Sequence, residues 1–302
     1  MAQIATLFGG SGFVGSYIAR RLTAQGWEVR IASRKPDASP IKGTAGIVPV
    51  ACNINDDDTV RAAMDGAEAV VNCVGTFDKA GDNGFQAIQN QGAGRIARIA
   101  AELAMPRLVH LSAIGADPNA ATLYGQSKGQ GEAAILSSFP KAVILRPSVI
   151  FGPEDQFFNR FAAMSRFNPV LPVVGAATKF QPVYVDNVAE AAERAVIGEA
   201  APGLYELGGP EAKSFHDLME LMLNVLGRKR LIVNIPFPIA HLMGVGMELG
   251  QTVTAGLLPA QITQDQVKSL KSDNVVSPGA QTLETLGITP TPILDILPSY
   301  LR

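Results

Sequence analysis

The sequence has few cysteines, histidines and aromatic residues, and each scarcity argues against a class of protein. The two cysteines among 302 residues, Cys52 and Cys73, are too few for a disulfide framework. Both lie in apolar, strand-like runs, which favours buried thiols in a reducing compartment. The three histidines lack the spacing of metal ligands, so we expect hydrogen-bonded strand or helix residues and no metal. With 6% aromatic residues, base-stacking platforms and a nucleic-acid partner are not expected.

Charge is also sparse, and neither sign dominates. Charged residues make up 17% of the chain, and 25 basic against 27 acidic residues give a net charge of −2. The basic residues are scattered, which argues again against a nucleic-acid footprint. No uncharged run reaches the roughly 20 residues of a membrane span. A signal peptide is not expected, because a strand-like run begins at Ile4.

A glycine-rich turn follows the first apolar run, Ile4–Phe8, and precedes a helical pattern. In this context a glycine motif predicts dinucleotide binding, although such turns also occur for purely structural reasons. Gly9 permits the sharp turn, Gly12 leaves room for a pyrophosphate, and Gly15 permits close helix packing. The first N–H groups of the helix are free to bind phosphate. The predicted cofactor contacts here are Gly9, Ser11, Gly12, Phe13, Val14 and Gly15.

The second predicted strand ends in Ser33, Arg34 and Lys35, where the adenosine ribose is expected. NAD-specific sites usually carry a carboxylate at this position, whereas a 2′-phosphate favours cations. No carboxylate appears before Asp37. We therefore expect NADP(H) rather than NAD(H), with these three residues as contacts; the alternative is that the two cations are solvated loop charges.

Apolar runs alternate with helical patterns along the first half of the chain. This alternation predicts an α/β fold with a doubly wound parallel sheet and a smaller C-terminal lobe. Ligands of such sheets bind beyond the carboxyl ends of the strands, where Val74, Gly75 and Pro147 are further predicted contacts. The pattern loosens after Phe151. The predicted dinucleotide-binding domain spans residues 1–150, with 181–200 returning to it, and the predicted smaller lobe spans 151–180 and 201–302.

Tyr124 and Lys128 lie four residues apart on a predicted helix and so share one face. A nearby ammonium favours the tyrosinate and is expected to lower the pKa of Tyr124 toward the range needed for proton transfer. The same lysine can hold the nicotinamide ribose. Ser112, the hydroxyl at the end of the fifth predicted strand, completes the candidate catalytic set. The alternative is that the pair only holds ribose.

Five segments together resemble the extended, atypical short-chain dehydrogenase/reductase superfamily. They are Gly9–Gly15, Tyr124–Lys128, Leu145–Pro147, Val183–Ala189 and Tyr205–Pro210. Within that superfamily the late stretch Ile262–Val276 resembles the NAD(P)-binding accessory subunits of respiratory complex I, of the alpha-subcomplex subunit nine type, and their bacterial relatives.

The resemblance implies a tightly held NADPH with a mainly structural role and other complex I subunits as partners. It implies a peripheral location on the cytoplasmic side of the bacterial inner membrane, or on the mitochondrial matrix side. The superfamily often has its catalytic Ser or Thr a residue or two beyond Ser112, where this chain has Ala113 and Ile114. That departure argues against hydride transfer. The alternatives are a free NADP-dependent reductase, a sugar-nucleotide epimerase- or dehydratase-like enzyme, and a nucleotide-dependent redox sensor.

An apolar stretch spans residues 235–260 and carries very few titratable groups. One interpretation is a core helix of the smaller lobe. The other is a surface, with Met243 and Met247 on one face, that docks on a partner or on the membrane interface.

Overall fold

The computed structural model describes residues 2–36, 43–76, 78, 81–242 and 264–301. The chain divides into two compact units. The first unit comprises Met1–Ser148, Val183–Gly208 and Val276–Pro290. The second comprises Val149–Pro182, Gly209–Val275 and Thr291–Arg302.

The described residues form strands and helices with the following bounds. The strands are β1 Ile4–Phe8, β2 Glu28–Ser33, β3 Ile47–Ala51, β4 Ala69–Asn72, β5 Arg107–Leu111, β6 Val143–Pro147, β7 Ile150–Phe151, β8 Val170–Val174, β9 Lys179–Phe180, β10 Val183–Tyr184, β11 Gly203–Leu207, β12 Lys213–Ser214 and β13 Leu231–Ile235. The helices are α1 Phe13–Ala24, α2 Asp57–Met64, α3 Ala93–Glu102, α4 Leu123–Ser138, α5 Phe158–Phe167, α6 Val185–Ile197, α7 Phe215–Val225, α8 Gln264–Ser269 and α9 Ile293–Tyr300, with a π-helical segment at Gln86–Gly92 and a 3₁₀ turn at Glu284–Leu286.

The first unit is built on a seven-stranded sheet in the order β11-β6-β5-β4-β1-β2-β3. Every neighbouring pair is parallel. The chain runs outward from β1 in one direction through β2 and β3, and then in the other from β4 onward. The predicted doubly wound parallel sheet is therefore confirmed, and its topological switch point lies between β1 and β4, where such sheets bind ligands.

Alternating side chains of the central strands build the core of the first unit. Phe8 of β1 belongs to a buried cluster that includes Val60 of α2 and Ile96 of α3. Leu7, the neighbouring strand residue, points to the opposite face and is fully buried. Sheets buried on both faces have strands that are almost continuously apolar, which is why these runs were recognisable.

The second unit has its own small sheets and an aromatic cluster. Strands β8 and β13 pair in parallel, and β9 and β12 pair in antiparallel fashion. The rings of Phe157, Phe161, Phe180 and Phe215 pack on one another with centroid distances of 5.4 to 6.0 Å. Within the described residues, no helix is long and apolar enough to cross a membrane.

Two features differ from the sequence-based expectations. The predicted boundaries gave residues 201–302 to the smaller lobe, whereas Gly203–Leu207 and Val276–Pro290 belong to the first unit. Strand β11 is there because it pairs with β6, a long-range contact that local patterns do not reveal. Residues 85–103 have the apolar spacing of one continuous helix, whereas the chain there forms the π-helical segment Gln86–Gly92 followed by α3.

Candidate functional site

The glycine turn after β1 makes two close backbone contacts. Gly9 has φ +77°, and a Cβ atom there would lie 2.9 Å from the carbonyl carbon of Cys73. A Cβ at Gly15 would lie 2.4 Å from the carbonyl oxygen of Gly9. Both positions therefore need glycine, because α1 lies close against the turn at Gly15 and the turn lies close against the residue after β4 at Gly9.

The start of α1 is open in the way that phosphate binding requires. Gly12 is its N-cap and supplies no side-chain hydrogen bond, and the first turn carries no acidic residue. The N–H groups of that turn therefore keep their capacity to donate, and the helix dipole favours an anion there. Ser11 lies in the turn, and Phe13 and Val14 begin the helix, as predicted from the sequence.

The expected adenosine-binding residues follow β2, beside the glycine turn. The Oγ of Ser33 is buried and has no hydrogen-bond partner among the described residues. Arg34 and Lys35 are exposed, and the guanidinium of Arg34 donates to the side-chain oxygen of Asn83. An orphaned hydroxyl and two accessible cations suit the ribose and a 2′-phosphate.

The segment after β4 closes the other side of the switch point. Val74 is half-buried and its N–H donates to Asn72 Oδ1 at 3.1 Å. Gly75 is exposed, and a Cβ there would meet nothing within 4 Å. The backbone is thus accessible at Gly75. Pro147 is the last residue of β6, and it is buried.

Tyr124 and Lys128 are positioned by the glycines of α4. The helix begins after Thr122, whose Oγ1 accepts a hydrogen bond from the N–H of Gly125 at 3.1 Å. A Cβ at Gly129 would lie 2.3 Å from the carbonyl carbon of Asp117. Alanine or larger residues at Gly129 would therefore push the start of α4 away from the loop that follows β5.

Gln89 of the π-helical segment joins the loop after β4 to α4. Its Nε2 donates to the carbonyl of Thr76 at 2.8 Å, and its Oε1 accepts from Ser127 Oγ at 2.8 Å. A Cβ at Gly131 would lie only 2.1 Å from the carbonyl oxygen of Gln89. This carbonyl belongs to the π-helical segment, and π turns occur frequently at functional sites. The helical pattern of the sequence carries no signal for it.

The ammonium of Lys128 is held inside the protein. Lys128 is 5% exposed, and its Nζ donates to the carbonyl of Leu111 at 3.0 Å. Burial lowers the pKa of Lys128 to about 8, against smaller raising effects of Cys73 and Glu132. Lys128 therefore lies close to the carboxyl ends of β4 and β5.

The prediction that Lys128 lowers the pKa of Tyr124 is wrong. Burial raises the pKa of Tyr124 to about 12, because removing the phenol from water disfavours the tyrosinate. Tyr124 is therefore protonated in the neutral range, which is the state of a hydrogen-bond donor. Its ring packs edge-on against Phe85, with centroids 6.1 Å apart.

Two buried polar side chains on β5 and its extension have no partners among the described residues. They are Ser112, through its Oγ, and His110, through both ring nitrogens. The expectation that His110 would be a hydrogen-bonded strand histidine is wrong. Burial, with a contribution from Lys128, holds the pKa of His110 well below its ordinary value. The sequence signal was a histidine inside an apolar run, which does not reveal its surroundings.

Most of the candidate residues thus lie at the carboxyl ends of the strands, and they fit a dinucleotide. The glycine cradle and open helix start suit a pyrophosphate. The orphaned hydroxyl of Ser112 and the buried ammonium of Lys128 are suited to the ribose and the groups beyond it. The structure brings together the residues that the sequence predicted, while their roles in binding and catalysis stay predictions.

Comparison with known proteins shows the family to which the chain belongs. Residues 9–155 match a family model described as NAD(P)H-binding, and residues 116–198 match the 3-beta hydroxysteroid dehydrogenase/isomerase family. The chain is 31% identical over 298 residues to the mitochondrial NADH dehydrogenase (ubiquinone) 1 alpha subcomplex subunit 9 of Arabidopsis thaliana, covering 95% of this chain and 74% of that protein. The chain belongs to the subunit 9 family.

Two further similarities concern an enzyme sequence and a solved structure. A ceramide reductase of Caulobacter vibrioides is 26% identical over 239 residues, covering 78% of this chain and 74% of that protein. The UDP-glucose 4-epimerase of Thermus thermophilus, solved in complex with NAD, superposes with a TM-score of 0.71 at 18% identity, covering 99% of each chain. The chain is therefore an NAD(P)-binding member of the extended short-chain dehydrogenase/reductase fold group.

Proposed function

We propose that this chain is an NADP(H)-binding accessory subunit of a respiratory NADH:ubiquinone oxidoreductase, with a mainly structural cofactor. The observation that carries the proposal is the 31% identity to a subunit 9 over 95% of the chain. The other complex I subunits are then its partners. Its location is peripheral, on the matrix side in mitochondria or the cytoplasmic side of a bacterial inner membrane.

The preference for NADP(H) over NAD(H) rests on Arg34 and Lys35. Both cations are exposed at the end of β2, where a 2′-phosphate is expected. Arg34 keeps donors beyond the one that it gives to Asn83. Glycines 9, 12 and 15 would hold the pyrophosphate, and Lys128 the nicotinamide ribose. The bound dinucleotide supplies hydride chemistry where a reaction occurs.

The experiment that tests the assignment uses the full chain in its own cells. The tagged chain is recovered from gently solubilised membranes and separated on a native gel. We expect it to comigrate with NADH dehydrogenase activity, and we expect Tyr124→Phe to comigrate equally, because a structural cofactor needs no proton transfer. Recovery of the wild-type chain only as a small species would overturn the accessory-subunit assignment.

A second candidate function is a free NADP-dependent reductase that uses Tyr124, Lys128 and Ser112. The placement of Tyr124 and Lys128 four residues apart on α4, with the Oγ of Ser112, unpartnered among the described residues, directly after β5, supports it, since a reductase needs a hydroxyl proton donor beside the hydride acceptor. The ceramide reductase similarity points the same way. This function predicts substrate-dependent NADPH oxidation that Tyr124→Phe abolishes. The stretch 235–260 bears on both candidates, but residues 243–260, with Met243 and Met247, lie outside the described residues.

A further inference from the structure

The second unit carries an exposed apolar face on its β8–β13 sheet. The register places Leu231 beside Val170 and Val233 beside Pro172. Leu231 is 64% exposed, and Val170 and Val233 are each 39% exposed. Phe167, three residues before Val170, is 84% exposed. We call these five residues, four on the two strands and Phe167 at the end of α5, the β8–β13 face. Clustered exposure of large apolar side chains in a soluble unit marks an interaction surface.

Within the two segments that form this face, the charges have only one sign. Arg166 precedes Phe167, with its guanidinium 5.5 Å from the centroid of that ring. Lys229 and Arg230 directly precede Leu231. The sequence has no Asp or Glu from 156 to 181 or from 221 to 242. The basic residues bordering the face therefore have no acidic neighbours in either of the segments that form it.

The three cations keep their charge available. Arg230 is held by neutral groups, donating to the carbonyls of Ser165 at 2.8 Å and Lys229 at 3.0 Å. Among the described residues, none of Arg166, Lys229 and Arg230 forms an ion pair. A fixed backbone acceptor orients the guanidinium of Arg230 but leaves its positive charge uncompensated.

We infer that the β8–β13 face docks on a membrane surface containing anionic phospholipids. Phe167, Leu231 and their neighbours enter the boundary between headgroups and acyl chains, while the three cations meet lipid phosphates. An aromatic ring flanked by arginine suits this boundary, since the ring is apolar and the arginine stem reaches toward the headgroups. A protein partner would be expected to supply carboxylates, and it is the competing occupant in the test.

The inference stands apart from the proposed function, because it concerns a surface of the second unit and needs no nucleotide. Binding of the chain to lipid vesicles tests the inference directly. The full chain is mixed with phosphatidylcholine vesicles, or with vesicles that also contain phosphatidylglycerol, and the bound fraction is measured by flotation. We expect binding to the anionic vesicles only, and release as salt shortens the Debye length from ~10 Å at 0.1 M to ~3 Å at 1 M.

Two variants separate the apolar and the electrostatic contributions to vesicle binding. Leu231→Asp is expected to weaken binding at least tenfold, because it removes an inserted side chain and adds a repelled charge. Lys229→Gln is expected to weaken it roughly fivefold, the effect of one cation near an anionic surface. Leu136→Asp is the matched control, since Leu136 is 41% exposed on α4 of the first unit and should leave binding unchanged.

The other possible results also decide whether the β8–β13 face binds a membrane. If Leu231→Asp keeps the thermal stability of the wild type, its weaker binding to vesicles is not caused by unfolding. Lys229→Gln changes an exposed side chain, so its weaker binding is also not expected to come from unfolding. Equal binding to both vesicle types, or undiminished binding of Leu231→Asp, overturns the inference. Absent vesicle binding, together with loss of Leu231→Asp from the respiratory complex, assigns the face to a protein partner. Comigration of the wild-type chain on the native gel tests the proposed function separately.

Discussion

At the scale of single residues, the proposed preference for NADP(H) rests on Arg34. We predict that Arg34→Asp lowers NADPH affinity by roughly 10- to 100-fold, the effect of losing a charge-assisted hydrogen bond to phosphate. NADH affinity should stay the same or rise, because a carboxylate accepts hydrogen bonds from the ribose hydroxyls. Isothermal titration with both dinucleotides measures the two affinities.

The matched control is Lys141→Asp. It makes the same kind of charge change at an exposed residue before β6, at the amino-terminal edge of the sheet, away from the expected ligand. It should leave both affinities unchanged. Equal NADPH affinity in Arg34→Asp and the wild type would contradict the assignment of the 2′-phosphate.

Lys128 gives a prediction about pH. Its pKa of about 8 in the folded chain lies below the 10.5 of an ordinary lysine. Between these values the unfolded chain binds more protons, so the free energy of unfolding rises with pH. We predict that the wild type gains about 2–3 kcal/mol relative to Lys128→Met between pH 8 and pH 10.

Urea unfolding of the cofactor-free proteins at several pH values measures this difference. The comparison with Lys128→Met matters because burial also raises the pKa of Cys73 to about 12 and that of Tyr124 to about 12. Above their unfolded pKa values, these two groups lower the free energy of unfolding as the pH rises. Because both groups are present in both proteins, their effect cancels in the comparison. A stability difference independent of pH would show that Lys128 is not held in a dehydrated site.

At the scale of elements, α4 and the π-helical segment depend on glycine at one crossing. A Cβ at Gly131 would lie 2.1 Å from the carbonyl oxygen of Gln89. We predict that Gly131→Ala lowers the free energy of unfolding by roughly 2 kcal/mol or more, although alanine ordinarily favours a helix by about 1 kcal/mol. Urea unfolding followed by circular dichroism measures it.

Gly75→Ala is the control at this scale, because its added Cβ would meet nothing within 4 Å and its φ is not positive. Its unfolding free energy should stay within about 0.5 kcal/mol of the wild type. If Gly131→Ala were as stable as this control, the close crossing would not constrain α4.

Much of the first unit was predictable because its strands are short apolar runs, buried almost throughout in β1 and β4, and because the glycine turn has local requirements. The pairing of β11 with β6 was not, since it joins residues about sixty positions apart by contacts that no local pattern encodes. Within the site, the spacing of Tyr124 and Lys128 identified the pair. It did not reveal the direction of the pKa of Tyr124, because burial depends on neighbours such as Phe85.

At the scale of the whole molecule, the proposed structural cofactor would link nucleotide binding to stability and assembly. We predict that NADPH at 100 times its dissociation constant raises the unfolding free energy by about 2.7 kcal/mol. Gly15→Val should lose this stabilisation, because its side chain would collide with the carbonyl of Gly9. Thermal unfolding with and without NADPH measures the effect.

Tyr124→Phe supplies the control, because it keeps the ring and the backbone of α4. It should retain most of the NADPH-dependent stabilisation. A melting temperature that does not change when NADPH is added would contradict a structural role for the cofactor.

The alternation of the chain between its two units has a consequence for biosynthesis. The first unit receives Val276–Pro290 and the second receives Thr291–Arg302, so each unit takes in a segment that follows residue 275. The ribosome must therefore release the chain beyond these late segments before either unit has all its parts. A nonsense mutation after Val275 removes pieces of both units at once, so we expect such a fragment to be recognised by quality-control proteases instead of surviving as an independent nucleotide-binding domain.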